Sequence, residues 1–194
     1  MNKVVLDVGA GDVNGNNRTL FKDCAYCAND VVDAPNVTIV SKTKDLAFPD
    51  ESFDTIISSE CFEHDAEYPQ SLAKILRLLK PGGVLAFTCA SSGRMEHGTS
   101  RTSPEACFAT LGGVEGFTCH YKNLVIEDIN ATLHLNIHFG AWRSFYNYQS
   151  KDLYFIGFKR PCGQLPESIP NYDGDNCTET TGGVFGCRGH GQEM

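Results

Sequence analysis

The run Asp7-Val8-Gly9-Ala10-Gly11-Asp12-Val13-Asn14-Gly15 concentrates more ligand-binding potential than any other stretch of this chain. Glycine at 9 and 11 lets a backbone turn tightly and approach a ligand, so that peptide N–H groups meet its polar edges. A pyrophosphate-binding turn asks for Gly-x-Gly-x-x-Gly. Here position 14 is Asn and the next glycine is Gly15, a wider turn that favours a nucleoside ligand without a pyrophosphate. Asp30, with Val31 beside it, follows Gly11 by nineteen residues, a spacing at which a carboxylate can accept hydrogen bonds from both hydroxyls of a ribose; Asp33 is close enough to take that part instead.

Two further places carry acid–base or anion-binding groups. His64 follows an apolar run and precedes a helical pattern, and an imidazole of ordinary pKa, about 6.5, can take a proton near neutral pH; packing or capping at the helix start is its structural alternative. In the stretch 94–101, Arg94, Glu96, His97 and Arg101 can grip a hydroxylated or anionic small molecule, with Tyr121 opposite, although the same composition also suits a solvated loop. His64 and His97 are therefore the candidate catalytic residues. Cys24-x-x-Cys27 has no second pair at metal spacing, and Cys177, Cys187 and His190 match no tetrahedral motif, so no metal is expected.

These groups need a scaffold, and the pattern supplies one. Residues 4–8 are an apolar run ending in a carboxylate, as a strand buried on both faces suggests; 84–89 return as a buried strand, and 53–58 read as another strand after the turn over 48–52. Residues 18–24 predict a helix, and 30–32 and 37–40 two short strands. Tyr68, Leu72, Ile75, Leu76 and Leu79 recur at helical spacing behind Asp65 as a cap, and Lys80-Pro81-Gly82-Gly83 ends that helix. Residues 124–133 read as a helix, and 134–142 and 153–158 as two late strands. Alternating strands and helices imply a doubly wound α/β sheet. Residues 90–123 are too long for a plain connection and form a candidate acceptor-side insertion, while 161–194 read as a Gly-rich polar tail behind a single domain over 1–160.

The chain has 194 residues and a formal charge of −8, the wrong sign for a surface that neutralises a phosphate backbone, so nucleic acid is not an expected partner. No apolar run is long enough to span a membrane and no leader pattern opens the sequence. Nine scattered cysteines suit a reducing cytoplasm.

Four ordered motifs now stand together: Leu6-Asp7-Val8-Gly9-Ala10-Gly11, the run from Asp45 to Asp54, Ser58-Ser59-Glu60-Cys61-Phe62-Glu63-His64, and Leu78-Leu79-Lys80-Pro81-Gly82-Gly83. On these the sequence resembles the class I, S-adenosylmethionine-dependent methyltransferases of the type 11 methyltransferase-domain family, densely over residues 4–89. The resemblance implies a Rossmann-like, seven-stranded, mostly parallel sheet with helices on both faces and an antiparallel last strand. It implies S-adenosyl-L-methionine as cofactor and a small-molecule methyl acceptor. Asp7, Gly9, Ala10, Gly11 and Gly15 would line the methionine and ribose part, Asp30 and Val31 the ribose, Thr43, Lys44, Asp45 and Leu46 the adenine, and Ser59 and Glu60 would lie beside the cofactor. Where many relatives carry an acidic residue this chain has Lys42, so a carboxylate contact to the adenine amino group is either absent or supplied by Asp45. A nicotinamide-dependent oxidoreductase on the same sheet and a catalytically silent cofactor-binding module are the competing readings.

Overall fold

The computed structural model describes residues 3–161 and 179–183. Strand β1 (Val4–Val8) pairs in parallel with β2 (Ala25–Asp30) on one side and β4 (Phe53–Ser59) on the other. The parallel array extends through β3 (Ile39–Val40) beyond β2 and β5 (Leu79–Ala90) beyond β4. Strand β7 (Asp152–Lys159) inserts antiparallel between β5 and β6 (Phe139–Asn147). The expected seven strands and late antiparallel strand are present. An eighth, β8 (Glu179–Gly183), comes from the segment read as tail and pairs antiparallel with β6, giving the order β3-β2-β1-β4-β5-β7-β6-β8. The remainder of the tail, with Cys177, Cys187 and His190, lies outside the described residues.

Register explains the core. Leu6 stands opposite Ile56 and Ile56 opposite Leu85, so these side chains share one face of the sheet. Helices α1 (Tyr68–Leu78) and α3 (Ile126–Leu133) cover that face, burying Leu72, Ile75, Ile129 and Leu133 completely. Each such side chain contributes about 1.5–3 kcal/mol of transfer free energy. The start of α1 is fixed as the sequence suggests: the Asp65 carboxylate accepts from the Glu67 N–H at 2.7 Å and the Ser71 hydroxyl at 2.6 Å. The helical cover is uneven. On the other face, near the β1 and β2 end, lies the 3-10 turn Arg18–Leu20, whose Arg18 guanidinium sits over the Tyr26 ring, while Phe145, Ile156 and Phe158 are 45%, 42% and 42% exposed.

Three elements depart from the sequence expectation. The helix expected over 18–24 is only that 3-10 turn, since the segment lacks an apolar stripe and Asp23 adopts a positive φ. The second strand runs through Ala25–Asp30 instead of 30–32, because the Asp30 carboxylate accepts the Val31 N–H at 2.7 Å and turns the chain out of the sheet. Ahead of β6 stands the helical turn α4 (Leu135–His138), entered through His134 at φ 44°. The 90–123 insertion holds a short helix, α2 (Phe108–Leu111), and a second small apolar cluster of Cys107, Ala109 and Phe117.

Candidate active site

The C-terminal ends of β1, β2 and β4 and the inner side of the insertion enclose one large cavity of about 810 Å³. Open α/β sheets bind ligands at this edge because the strands end there in loops free to diverge. Gly9, Gly11, Gly15, Asp30, Val31, Thr43, Ser59, Glu60, His64, Arg94 and His97 all line it.

The glycine turn is built by close packing. At Gly9, φ is +69° and a Cβ would fall 2.4 Å from the Cys61 Sγ. At Gly11 a Cβ would lie 2.7 Å from the Phe108 ring and 3.0 Å from an Asp30 oxygen. The Asp30 carboxylate accepts the Gly11 N–H at 3.0 Å together with that of Val31, so it is anchored with lone pairs to spare; burial raises its pKa and the backbone donors oppose the rise. Thr43 is positioned by the buried amide of Asn29, whose Oδ1 accepts the threonine hydroxyl at 3.1 Å. Asn17 donates to the Ser59 hydroxyl at 3.2 Å. No α-helix follows this turn before β2, so no helix N-terminus faces the cavity here to receive a pyrophosphate.

Other expected residues support the wall from behind. Asp7 is 1% exposed and accepts from the Tyr26 hydroxyl and from Asn17; burial pushes its carboxyl up to about 6. Ala10 contributes backbone to the turn, its N–H donating to the Asn29 carbonyl at 2.9 Å. Lys44 and Asp45 pair with each other at 3.1 Å, and Leu46 faces the core at 2% exposure instead of the cavity.

The opposite wall joins β4 to the insertion. Glu60 leaves β4 with φ +51°, and its N–H donates to the Thr88 carbonyl at 3.0 Å. Burial, then the charge of Glu60, raises the Glu63 carboxyl strongly, outweighing backbone donors that lower it. Burial, then His97 and His120, lowers the His64 imidazole to about 4, so it is neutral at physiological pH. The sequence expectation of a base near 6.5 is corrected accordingly. Arg94 is committed to Asp152 at 3.1 Å. Glu96 and Arg101 brace the insertion by pairing with each other at 3.0 Å and do not line the cavity. Tyr121 stands behind both imidazoles, its ring centroid 5.6 Å from His64 and 5.0 Å from His97. Phe108 and Phe117, which also line the cavity, carry no motif; their only signal is the placing of aromatics in a polar insertion.

Residues 6–87 match the family model described as a methyltransferase domain. A 2-methyl-6-phytyl-1,4-hydroquinone methyltransferase from Synechocystis is 33% identical over 96 residues, covering 42% of this chain and 30% of that protein; the chain thus matches under a third of its curated relative's length. Among solved structures, a 1,6-didemethyltoxoflavin-N1-methyltransferase from Burkholderia thailandensis, with 1,6-didemethyltoxoflavin and S-adenosylhomocysteine bound, superposes at TM-score 0.56 with 17% identity, over 82% of this chain and 72% of that one. The cyclase SpnF superposes at 0.53 with 17% identity, over 84% and 76%. Residues 6–87 of this chain thus resemble the methyltransferase-domain family, and they are carried on a Rossmann-like sheet.

Proposed function

We propose that the protein transfers a methyl group from S-adenosyl-L-methionine to a small-molecule acceptor. The observation that carries this reading is the cavity itself, with the glycine turn and Asp30 at one end and His64 and His97 at the other. Asp30 would hold the ribose hydroxyls, Thr43 and the Lys44–Asp45 pair would flank the adenine, and Gly9 and Gly11 would let the chain lie against the methionine part. Methyl transfer from a sulfonium is an in-line displacement that disperses charge, so alignment and exclusion of water are what the protein must supply. Phe108 and Phe117 fit that need as apolar cover. His64 and His97 are the acceptor-side groups of this reading, with Arg94 beside them.

Small aromatic or heteroaromatic acceptors are named for the relatives that match, which supports a small molecule over nucleic acid. The net charge of −8 points the same way. The six described cysteines are free thiols, in keeping with a reducing cytoplasm, and no helix among the described residues is long and apolar enough to cross a membrane.

Calorimetry with S-adenosylhomocysteine tests the donor half, with one site per chain expected; absence of binding to folded protein refutes it. Transfer of labelled methyl that depends on an added acceptor then tests the enzyme. The likeness to SpnF keeps a second reading in view, in which the same cavity performs a different reaction. Donor-analogue binding without methyl transfer to any screened acceptor favours that one. The nicotinamide oxidoreductase is disfavoured by Asn14 in the glycine motif and by the missing helix after the turn.

A further inference from the structure

The residues just before α1 bring Glu63 and His64 together, and the insertion lays His97 against them. The two imidazole rings are 5.0 Å apart and nearly perpendicular, and one ligating atom from each of Glu63, His64 and His97 lies within 4.8 Å of the others. We propose that these three side chains form a site for one divalent first-row transition ion, open towards the cavity, where it would bind an oxygen of the methyl acceptor. The substrate half of this inference rests on the methyltransferase reading; the metal half does not.

Four observations carry it. Glu63 is 0% exposed with no well-formed hydrogen bond to either carboxylate oxygen, the backbone N–H groups of Glu63 and Ala90 lying near enough only to ease its charge, and the buried Nδ1 of His64 has no partner. Buried polar groups left this way are costly unless something compensates them. Second, His97 Nδ1 lies 3.0 Å from the Met95 carbonyl oxygen. A carbonyl only accepts, so Nδ1 carries the proton and Nε2 keeps its lone pair, the outer-shell arrangement that orients metal-binding histidines. Third, Gly98 has φ +64°, and a Cβ there would strike His64 at 2.6 Å, so the backbone after His97 is pressed onto that ring. Fourth, two imidazoles and one carboxylate are a donor set for zinc, iron or manganese and a poor one for calcium or magnesium.

Ligand atoms that share an ion at about 2.1 Å stand roughly 3.0–3.4 Å apart. Closing the set asks for about 1 Å of inward movement, which His97 can supply from its partly exposed loop. Glu63 lies behind the wall while both histidines line it, so the remaining coordination positions face the acceptor. A hydroxyl bound there loses its proton to solvent, because the cation lowers its pKa. Its oxygen electron pair then forms the bond to the methyl carbon as the carbon–sulfur bond breaks, and the sulfur keeps that bonding pair and becomes neutral.

A proton shared between Glu60 and Glu63 is the competing account of the buried carboxyls, but it leaves His64 Nδ1 without a partner. This spatial cluster also departs from the expectation of no metal. Thirty-odd residues separate His97 from His64, and no sequence spacing announces the set.

The test is titration of chelator-treated, full-length protein with Co²⁺, followed by its visible ligand-field bands, with S-adenosylhomocysteine calorimetry on the same samples. One Co²⁺ per chain is expected, with affinity falling at least about 100-fold in Glu63→Gln and in His97→Ala and unchanged in His138→Ala. Retained donor-analogue binding in the variants shows that they fold. Wild-type protein that binds the donor analogue but takes up no Co²⁺ overturns the metal site while leaving the donor reading intact. Uptake that persists in both variants also overturns it, as does a thiolate-type spectrum abolished by Cys24→Ser with Cys27→Ser. Co²⁺ uptake with no donor binding in the wild type keeps the metal site and removes its assigned substrate.

Discussion

At Gly11 the proposed donor pocket turns on a single atom. Valine there has to displace the Phe108 ring and the Asp30 carboxylate, 2.7 and 3.0 Å from its Cβ, so Gly11→Val is expected to abolish S-adenosylhomocysteine binding in calorimetry. Unchanged affinity would move the donor site elsewhere. Asp7 gives a pH signature. Its carboxyl is raised from 3.8 to about 6 by burial, so between these values the folded protein binds more protons than the unfolded chain. Stability from this group is therefore present at low pH and is lost as pH rises through the folded pKa, by about 3 kcal/mol at most. Asp7→Asn is expected to flatten that part of the stability curve in denaturant titrations from pH 4 to 7; an unaltered curve removes the assignment. His64→Ala is expected to leave donor affinity nearly intact and to lower turnover. If donor binding weakens instead, His64 shapes the donor pocket. The glycines, Asp30 and His64 were legible because strand, turn and residue type coincide within a few positions. The partnership of His64 with Glu63 and His97 was not, because only the folded insertion creates it.

Strand β1 and the 84–89 part of β5 were readable because parallel strands buried on both sides are near-continuous apolar runs, and β4 because it follows the turn over 48–52. Strand β2 was misplaced because Ala25-Tyr-Cys-Ala-Asn-Asp30 mixes small, aromatic and polar residues, and its pairing with β1 is decided by the register Val4 to Ala25 through Val8 to Asn29. Strand β8 has no apolar alternation at all in Glu-Thr-Thr-Gly-Gly; the open edge of β6 recruits it through main-chain hydrogen bonds. Helix α1 was the most secure element, since apolar spacing and a starting carboxylate agree, although it ends at Leu78 and Lys80-Pro81-Gly82-Gly83, read as its stop, already belong to β5. Leu72→Ala, at a position 0% exposed, is expected to cost about 2–5 kcal/mol in urea unfolding. A cost under 1 kcal/mol would mean that the core closes over the vacancy.

Across the whole molecule, charge and topology make separate demands. With a formal charge of −8, any weak DNA binding is expected to lack a steep dependence on salt, checked by titration at two salt concentrations. Truncation after Arg160 removes β8 from the edge opposite the donor end, so stability is expected to fall while donor affinity holds; lost affinity would assign the tail to the site. The position of β7 has a consequence in time. Residues 4–90 complete the parallel half, yet the partner of β5 is residues 152–159, and β6 depends on β7 for its place in the sheet. A ribosome must add some sixty residues after β5 before its outer edge can be capped, which at about 5–20 residues per second leaves the outer edge of residues 84–90 unpaired for several seconds. During synthesis that edge is a template for the wrong neighbour, and nascent chains stalled before residue 152 are where chaperone dependence and aggregation should concentrate.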